Sequence, residues 1–324
     1  MHSSRRACFA LAVSAVLSAS FQSNAFAATF TEDATIPAPA GVTQLVYSAK
    51  HQRLVARVGG ESIYSVNPAT GAKVRHAPVS GFTDMALSLD GDYVYASDYG
   101  GEWIGYGEPI GEHRVHRLSL SAGGWAIRNA YIAGSIESMG NGKLLMQSLD
   151  QWISFTVNRW GTGTDLAILN GAKGQWSGVY SGHMKYQSAN SRVIHGNSGL
   201  SSQEITAFKV VNDQLVQQES TGIYGTAQGY GGTSVLSTDG AVFYYGSLAV
   251  DANNVTRTLR VFPEWIYAAS GSRAFGDGQV YGAKTGAVTF KLGYQTTVYG
   301  LGTDDNEFWA YDPSALKFRH YTRR

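Results

Sequence analysis

The chain holds a single cysteine, Cys8, in 324 residues, and it falls inside an amino-terminal segment expected to be removed. Disulfides, thiolate metal sites, iron–sulfur clusters and covalently attached haem are therefore excluded from the remainder. Proline is sparse at seven residues. No stretch of four helical turns carries apolar residues three and four apart, which removes helical bundles and helical repeats. Charge of one sign is missing too. After residue 27 there are 23 Lys plus Arg, the full 25 less Arg5 and Arg6, against 24 Asp plus Glu. The only basic run is Arg323–Arg324, so no positive field is available for nucleic acid. No apolar run beyond residue 27 is long enough for a transmembrane segment.

Arg5 and Arg6, the apolar run from Ala7 to Ala19, and Ala25-Phe26-Ala27 read as the basic, hydrophobic and cleavage parts of a secretory signal. Ser14 and Ser18 interrupt the run, which is too short for a permanent anchor. The paired arginines also suggest a twin-arginine route, but the apolar pair expected after them is displaced by one position, which favours general secretion. Residues 1–27 are thus expected to be a signal peptide and 28–324 a single exported domain, periplasmic or secreted. Without disulfides it must be held by its hydrophobic core, for which this length suffices.

Glycine is abundant at 39 residues and tyrosine at 19, a balance that suits short strands and tight turns. The clearest unit is Phe82 to Ser97. Met85, Leu87 and Leu89 alternate with Ala86 and Ser88, Asp90-Gly91 turns the chain, and Tyr93, Tyr95 and Ser97 alternate with Val94 and Ala96 on the return. Substantial residues at both phases mean strands covered on both sides. The phrase recurs around Leu45–Val58, Ser135–Ser148, Met184–His195 and Ser234–Tyr245, and in compact form at Trp265–Phe275 and Thr297–Asn306. Third strands run into polar corners after Val66, Leu120, Val211, Tyr281 and Tyr311. Four short antiparallel strands per repeat predict an all-β fold, a β-propeller of seven four-stranded blades. Uneven spacing leaves six or eight blades open, and it predicts insertions on one face. The last repeat is one strand short, and Phe30–Ile36 is an orphan, so the amino-terminal strand is expected to complete the last blade and seal the ring.

The repeats resemble those of the YVTN-type, surface-layer-related seven-bladed propellers. Ala86 to Ser97, with Ser88-Leu89-Asp90-Gly91 inside it, is similar to the first half of that family's unit; Ile63 to Gly71 and Trp309 to Ser314 are similar to the second half. The resemblance covers about two thirds of the chain after the signal, with 103–129 and 152–179 poorly matched. It implies a periplasmic binding or scaffold role more often than an enzymatic one, and its motifs carry no catalytic residue.

Candidate chemistry is thin. Glu102, Glu108 and Glu112 lie with Trp103 and Tyr106 in a glycine-rich insertion, a composition that permits a carboxylate pair for glycoside hydrolysis but is better read as a solvated loop. His183 and His195 flank one hairpin and are a candidate metal pair, while Asp304 and Asp305, in an acidic cluster before a strand, are a candidate calcium site better read as a turn. His113 and His116 fall on opposite strand faces, and His51, His76 and His320 are expected to be solvated. Trp265 and Trp309 read as packing residues. Trp103, Trp160 and Trp176, in loop-like stretches, are candidate ligand platforms together with Tyr106. No Gly-x-Ser-x-Gly elbow is present. These observations favour an exported binding or scaffold propeller that recognises an envelope protein or a glycan through one rim, without a cofactor. The alternatives are a hydrolase or lyase of polysaccharide or peptidoglycan fragments and a quinone-bearing redox propeller.

Overall fold

Strands with sizeable residues at both phases have no side to give to solvent. A computed structural model, which describes residues 29–76, 81–100, 113–148, 155–171, 182–197, 203–223, 233–302 and 304–324, shows how both sides are covered. Seven antiparallel sheets of four strands stand edge-in around an axis. Their innermost strands touch in sequence all the way round, the last against the first. This is a seven-bladed β-propeller.

The first strand, β1 (Phe30–Pro37), belongs to the last blade. Blade 1 runs outward from the axis as β2 (Val42–Ser48), β3 (Arg53–Val58), β4 (Ser62–Val66) and β5 (Lys73–His76), and blade 2 as β6 (Phe82–Leu87), β7 (Tyr93–Asp98), β8 (Arg114–Ser119) and β9 (Trp125–Asn129). Blade 3 comprises β10 (Gly134–Gly140), β11 (Lys143–Ser148), β12 (Phe155–Arg159) and β13 (Ala167–Asn170); blade 4 comprises β14 (Gly182–Gln187), β15 (Arg192–Asn197), β16 (Glu204–Val211) and β17 (Gln214–Gly222). Blade 5 is β18 (Ser234–Leu236), β19 (Val242–Tyr245), β20 (Leu248–Asp251) and β21 (Asn254–Val261); blade 6 is β22 (Ala268–Ala269), β23 (Arg273–Phe275), β24 (Gln279–Gly282) and β25 (Val288–Lys291). Blade 7 is β26 (Tyr299–Leu301), β27 (Glu307–Asp312) and β28 (Lys317–Arg323), finished on the outside by β1.

The hydrophobic core is divided among the seven interfaces between neighbouring blades. Val55, Ile63, Met85 and Val94 fill the wedge between blades 1 and 2; Tyr95, Ile136, Leu144 and Trp160 fill the next. In β7 the successive residues Val94, Tyr95 and Ala96 are all buried, because odd and even positions enter different wedges. Each fully buried Leu, Ile or Phe contributes about 1.5–3 kcal/mol of gross stabilisation.

One turn recurs almost atom for atom. Ser88 Oγ donates to Asp90 Oδ1 (2.6 Å) and accepts from Tyr93 N (2.9 Å); Ser237 Oγ donates to Asp239 Oδ1 (2.6 Å) and accepts from Val242 N (3.0 Å). Gly91 and Gly240 follow with φ of 75° and 70°, a left-handed backbone that glycine adopts without steric cost.

The ring is sealed as the orphan strand predicts. β1 pairs antiparallel with β28 from Phe30↔Arg323 to Pro37↔Lys317, so the exposed edge of the last blade is paired. Arg319 ties Glu32 of β1 (2.9 Å) to Asp312 (2.8 Å), and His320 lies between Asp33 (2.7 Å) and Glu307 (3.1 Å). One strand assignment changes. Phe308–Tyr311, expected to be a third strand, is the second strand of blade 7, because β1 supplies the fourth and β28 the third.

Strand direction alternates across each blade, which sorts the connections between two faces. Turns from first to second strand, and from third to fourth in blades 1–6, lie on one face and are short. Second-to-third connections and the links between blades lie on the other, and the longest connections, from β7 to β8, β13 to β14 and β17 to β18, all start and end there. Among the described residues no helix is long and apolar enough to cross a membrane.

Candidate functional site

The seven inner strands enclose a channel of about 720 Å³. Most of its charged side chains, Arg57, Asp84, Glu137 and Lys185, gather on blades 1 to 4, with Asp239 on blade 5. Asp84 of β6 accepts from Gln44 Nε2 (2.8 Å) on blade 1, from its neighbour Met85 N (2.9 Å), and from Ser135 Oγ (3.1 Å) and Ile136 N (3.0 Å) on blade 3. One carboxylate thus fastens three blades. Arg57 donates to Gln44 Oε1 (3.2 Å) and to the carbonyls of Gly59 (3.0 Å) and Phe82 (3.2 Å); burial lowers its pKa while Asp84 opposes that shift.

The belt continues to blade 4, where Lys185 of β14 donates to Glu137 of β10. Burial pushes Glu137 up against the pull of Lys185. Burial works against the Lys185 ammonium, but Glu137 and Asp84 outweigh it and hold it above its ordinary value. His183, two residues before Lys185, faces the water of the channel. Surrounding protein desolvates it and lowers its pKa, with Asp84 opposing. The opposite wall, on blades 5 to 7, offers Val235, Tyr267, Val298 and Leu301. The channel thus carries most of its charge on one side and a mixture of apolar, tyrosine and hydroxyl side chains with Asp239 on the other.

A second cavity of about 680 Å³ opens between blades 2 and 3 on the short-turn face. Arg117 of β8 lies beside Tyr95 of β7 in the sheet, and its guanidinium sits between the rings of Tyr93 (4.6 Å) and Trp160 (4.5 Å). Arg128 also lies over the Trp160 ring (5.1 Å). Leu89, Tyr186 and Ser188 line both cavities, so the two lie side by side.

Trp160 is the expected ligand residue among the described ones; it lines the second cavity and is 9% exposed, with two arginines over its ring. It orients cations and is not an open platform. Glu102, Trp103, Tyr106, Glu108, Glu112 and Trp176 lie outside the described residues. The residues that bracket them, Gly100 and His113, Gly171 and Gly182, are at the long-connection face, away from Trp160.

The structure does not bring the candidate metal pair together. His195 is directly opposite Met184 in the β14–β15 register, while His183 is opposite Gly196, so the two imidazoles point to opposite faces of the blade. His195 is buried beside Gln147 Nε2 (3.3 Å). Asp304 and Asp305 also diverge. Asp304 accepts from Asn306 N (2.9 Å) and Asn306 Nδ2 (3.2 Å) within its own turn. Burial raises the Asp305 carboxyl, but the polar groups of Ser270, Ser272 and Arg273 on blade 6 outweigh it and hold it below its ordinary value. Among the described residues no group of three His, Cys, Asp or Glu side chains is placed to hold a metal ion.

Two expectations of solvated histidines also change. His76 is buried against Trp125, and His320 stacks on Trp309 (4.6 Å, 27°) between its two carboxylates. His51 stays near the surface and pairs with Asp92 (2.6 Å). Trp309 packs in the wedge between blades 7 and 1, as expected. Sequence reasoning missed Asp84, Glu137, Lys185 and Arg117. The available signal was a charge in the middle of an otherwise buried strand phrase, which folding tolerates only with a partner.

No family model and no curated protein matches the chain. In solved structures it is similar to the β-propeller domain of Cps50 (Swd1) from Myceliophteria thermophila, with a TM-score of 0.63 at 10% identity, covering 91% of this chain and 100% of that one. At that identity the likeness speaks for the fold alone, and it agrees with seven closed sheets: the chain has the architecture of a β-propeller.

Proposed function

We propose that the protein is an exported binding or scaffold propeller that recognises a protein or glycan partner on its short-turn face, at the mouth of the channel. The observation that carries this reading is that two cavities share Leu89, Tyr186 and Ser188 in their walls, which puts two concave surfaces of ligand-site size side by side. Leu89 is 53% exposed there, a large apolar side chain at the lip of a polar cavity. The channel carboxylates Asp84 and Glu137 are tied to fixed partners, so they serve best as rigid polar contacts. Export rests on the signal pattern from Arg5 to Ala27. Membership of the YVTN-type repeats rests on the sequence phrases Ala86–Ser97, Ile63–Gly71 and Trp309–Ser314.

The test is capture from an envelope extract by immobilised protein, run beside Leu89→Lys. A discrete protein or glycan retained by the native protein and lost from the variant is expected. Nothing retained, or retention indifferent to position 89, would refute the reading.

A further inference from the structure

We infer that Arg117 is the anion-binding group of this surface and takes the carboxylate of a peptide segment whose neighbouring residue is apolar; this deepens the binding role proposed above and rests on it. With its guanidinium over the rings of Tyr93 and Trp160 and one N–H hydrogen-bonded to the Tyr95 hydroxyl, Arg117 keeps the rest of its in-plane N–H groups for the cavity it lines. Among the described residues no carboxylate forms an ion pair with it. Asp90, the one acid among the described residues lining this pocket, is turned into its own hairpin, where Oδ1 accepts from Ser88 Oγ (2.6 Å) and Asp92 N (3.1 Å). Arg128 donates through Nη1 to the carbonyl of Ile127 (2.9 Å) and through Nη2 to that of Gly161 (3.5 Å) and adds positive potential behind Trp160. The pocket therefore presents a half-buried, pre-oriented fork that, among the described residues, is in no ion pair, with Asp90 held in its own turn, a geometry that recognises a planar carboxylate.

The remaining lining selects the kind of molecule. A sugar ring would need a bare aromatic face, and Arg117 occupies the facing sides of Tyr93 and Trp160. Leu89, Met139 and Tyr186 line the same pocket and offer an apolar wall next to the fork. A carboxylate with an apolar side chain close by matches that pairing, whether it is a chain terminus or an Asp or Glu side chain.

Calorimetric titration of the native protein with acetyl-Gly-Leu, its carboxamide, acetyl-Asp-Leu-amide and glucuronate tests this. Binding of acetyl-Gly-Leu is expected, weakened at least about tenfold by amidation or by Arg117→Gln, since a charge-assisted bidentate contact is lost. Recovery of binding with acetyl-Asp-Leu-amide identifies a side-chain source; failure of that probe identifies a terminal one. Glucuronate binding as tightly as the best peptide, or peptide binding indifferent to both amidation and Arg117, would overturn the inference. Should Arg117→Gln fail to fold, the acid-against-amide comparison on native protein still decides. Peptide binding lost with envelope capture intact sinks this inference alone; capture absent with peptide binding intact sinks the broader reading.

Discussion

His76 lies flat against Trp125, ring centroids 4.9 Å apart and planes within 8°, although one closes blade 1 and the other opens the outer strand of blade 2. Its Nε2 is 2.9 Å from Ser65 Oγ. Burial lowers its pKa from the ordinary 6.5, so the folded protein keeps it neutral at a pH where the unfolded chain takes up a proton. Stability should therefore fall as pH drops below about 6.5 toward the lowered folded value. Urea unfolding at pH 7.5 and 5.5 should show a smaller loss for His76→Gln than for the native protein. Equal losses would mean that His76 carries none of the pH dependence. His183, whose pKa is also lowered, is common to both proteins and cancels in the comparison.

Lys185 and Glu137 join blades 3 and 4 at the channel wall with side chains 27% and 18% exposed. Lys185→Met strips Glu137 of its counter-charge beside Asp84. A fully buried pair broken this way costs about 3–5 kcal/mol; partial exposure should reduce the loss to about 1–3 kcal/mol. Adding Glu137→Gln should restore part of it, measured as a coupling energy in a double-mutant cycle.

The twin turns at Ser88 and Ser237 offer a repeat-level check. Each hydroxyl makes two hydrogen bonds inside one hairpin, so Ser88→Ala and Ser237→Ala should each cost about 1 kcal/mol. Blades 2 and 5 are not neighbours, and the two losses should add in chemical denaturation.

Ring closure depends on β1, which buries Phe30 and Ile36 and pairs the outer edge of β28. Removing residues 29–37 should leave that edge unpaired and apolar, producing association visible by light scattering. Arg319→Ala removes a partly exposed pair with Glu32 and the counter-charge of buried Asp312 and should cost about 1–3 kcal/mol.

Much of the fold was legible because it is local. Alternation at both phases from Phe82 to Ser97, broken by Asp90-Gly91, specifies a hairpin that must be covered twice, and an orphan strand at Phe30 with a short last repeat specifies the closure. Reading Phe308–Tyr311 as a third strand failed for the opposite reason: Asp312-Pro313-Ser314 resembles the other corners, and only pairing with a strand from the far end of the chain fixes its rank. The candidate site was hardly legible at all. Asp84 draws its donors from Gln44 and Ser135, some 40 and 51 positions away, and nothing in either neighbourhood announces the other. The histidines misled similarly, since His76 is buried by a tryptophan of the next blade.

The sequence by itself determined the repeating four-stranded unit, its turns and the need for a closed ring, because strand alternation and turn chemistry act within a few residues. Only the tertiary structure decided which charges face the channel, which imidazoles part company across a sheet, and that Trp160 grips Arg117 instead of standing open to a ligand. Those outcomes depend on neighbouring blades meeting at a fixed angle and register, a relationship between segments that no single stretch of chain contains.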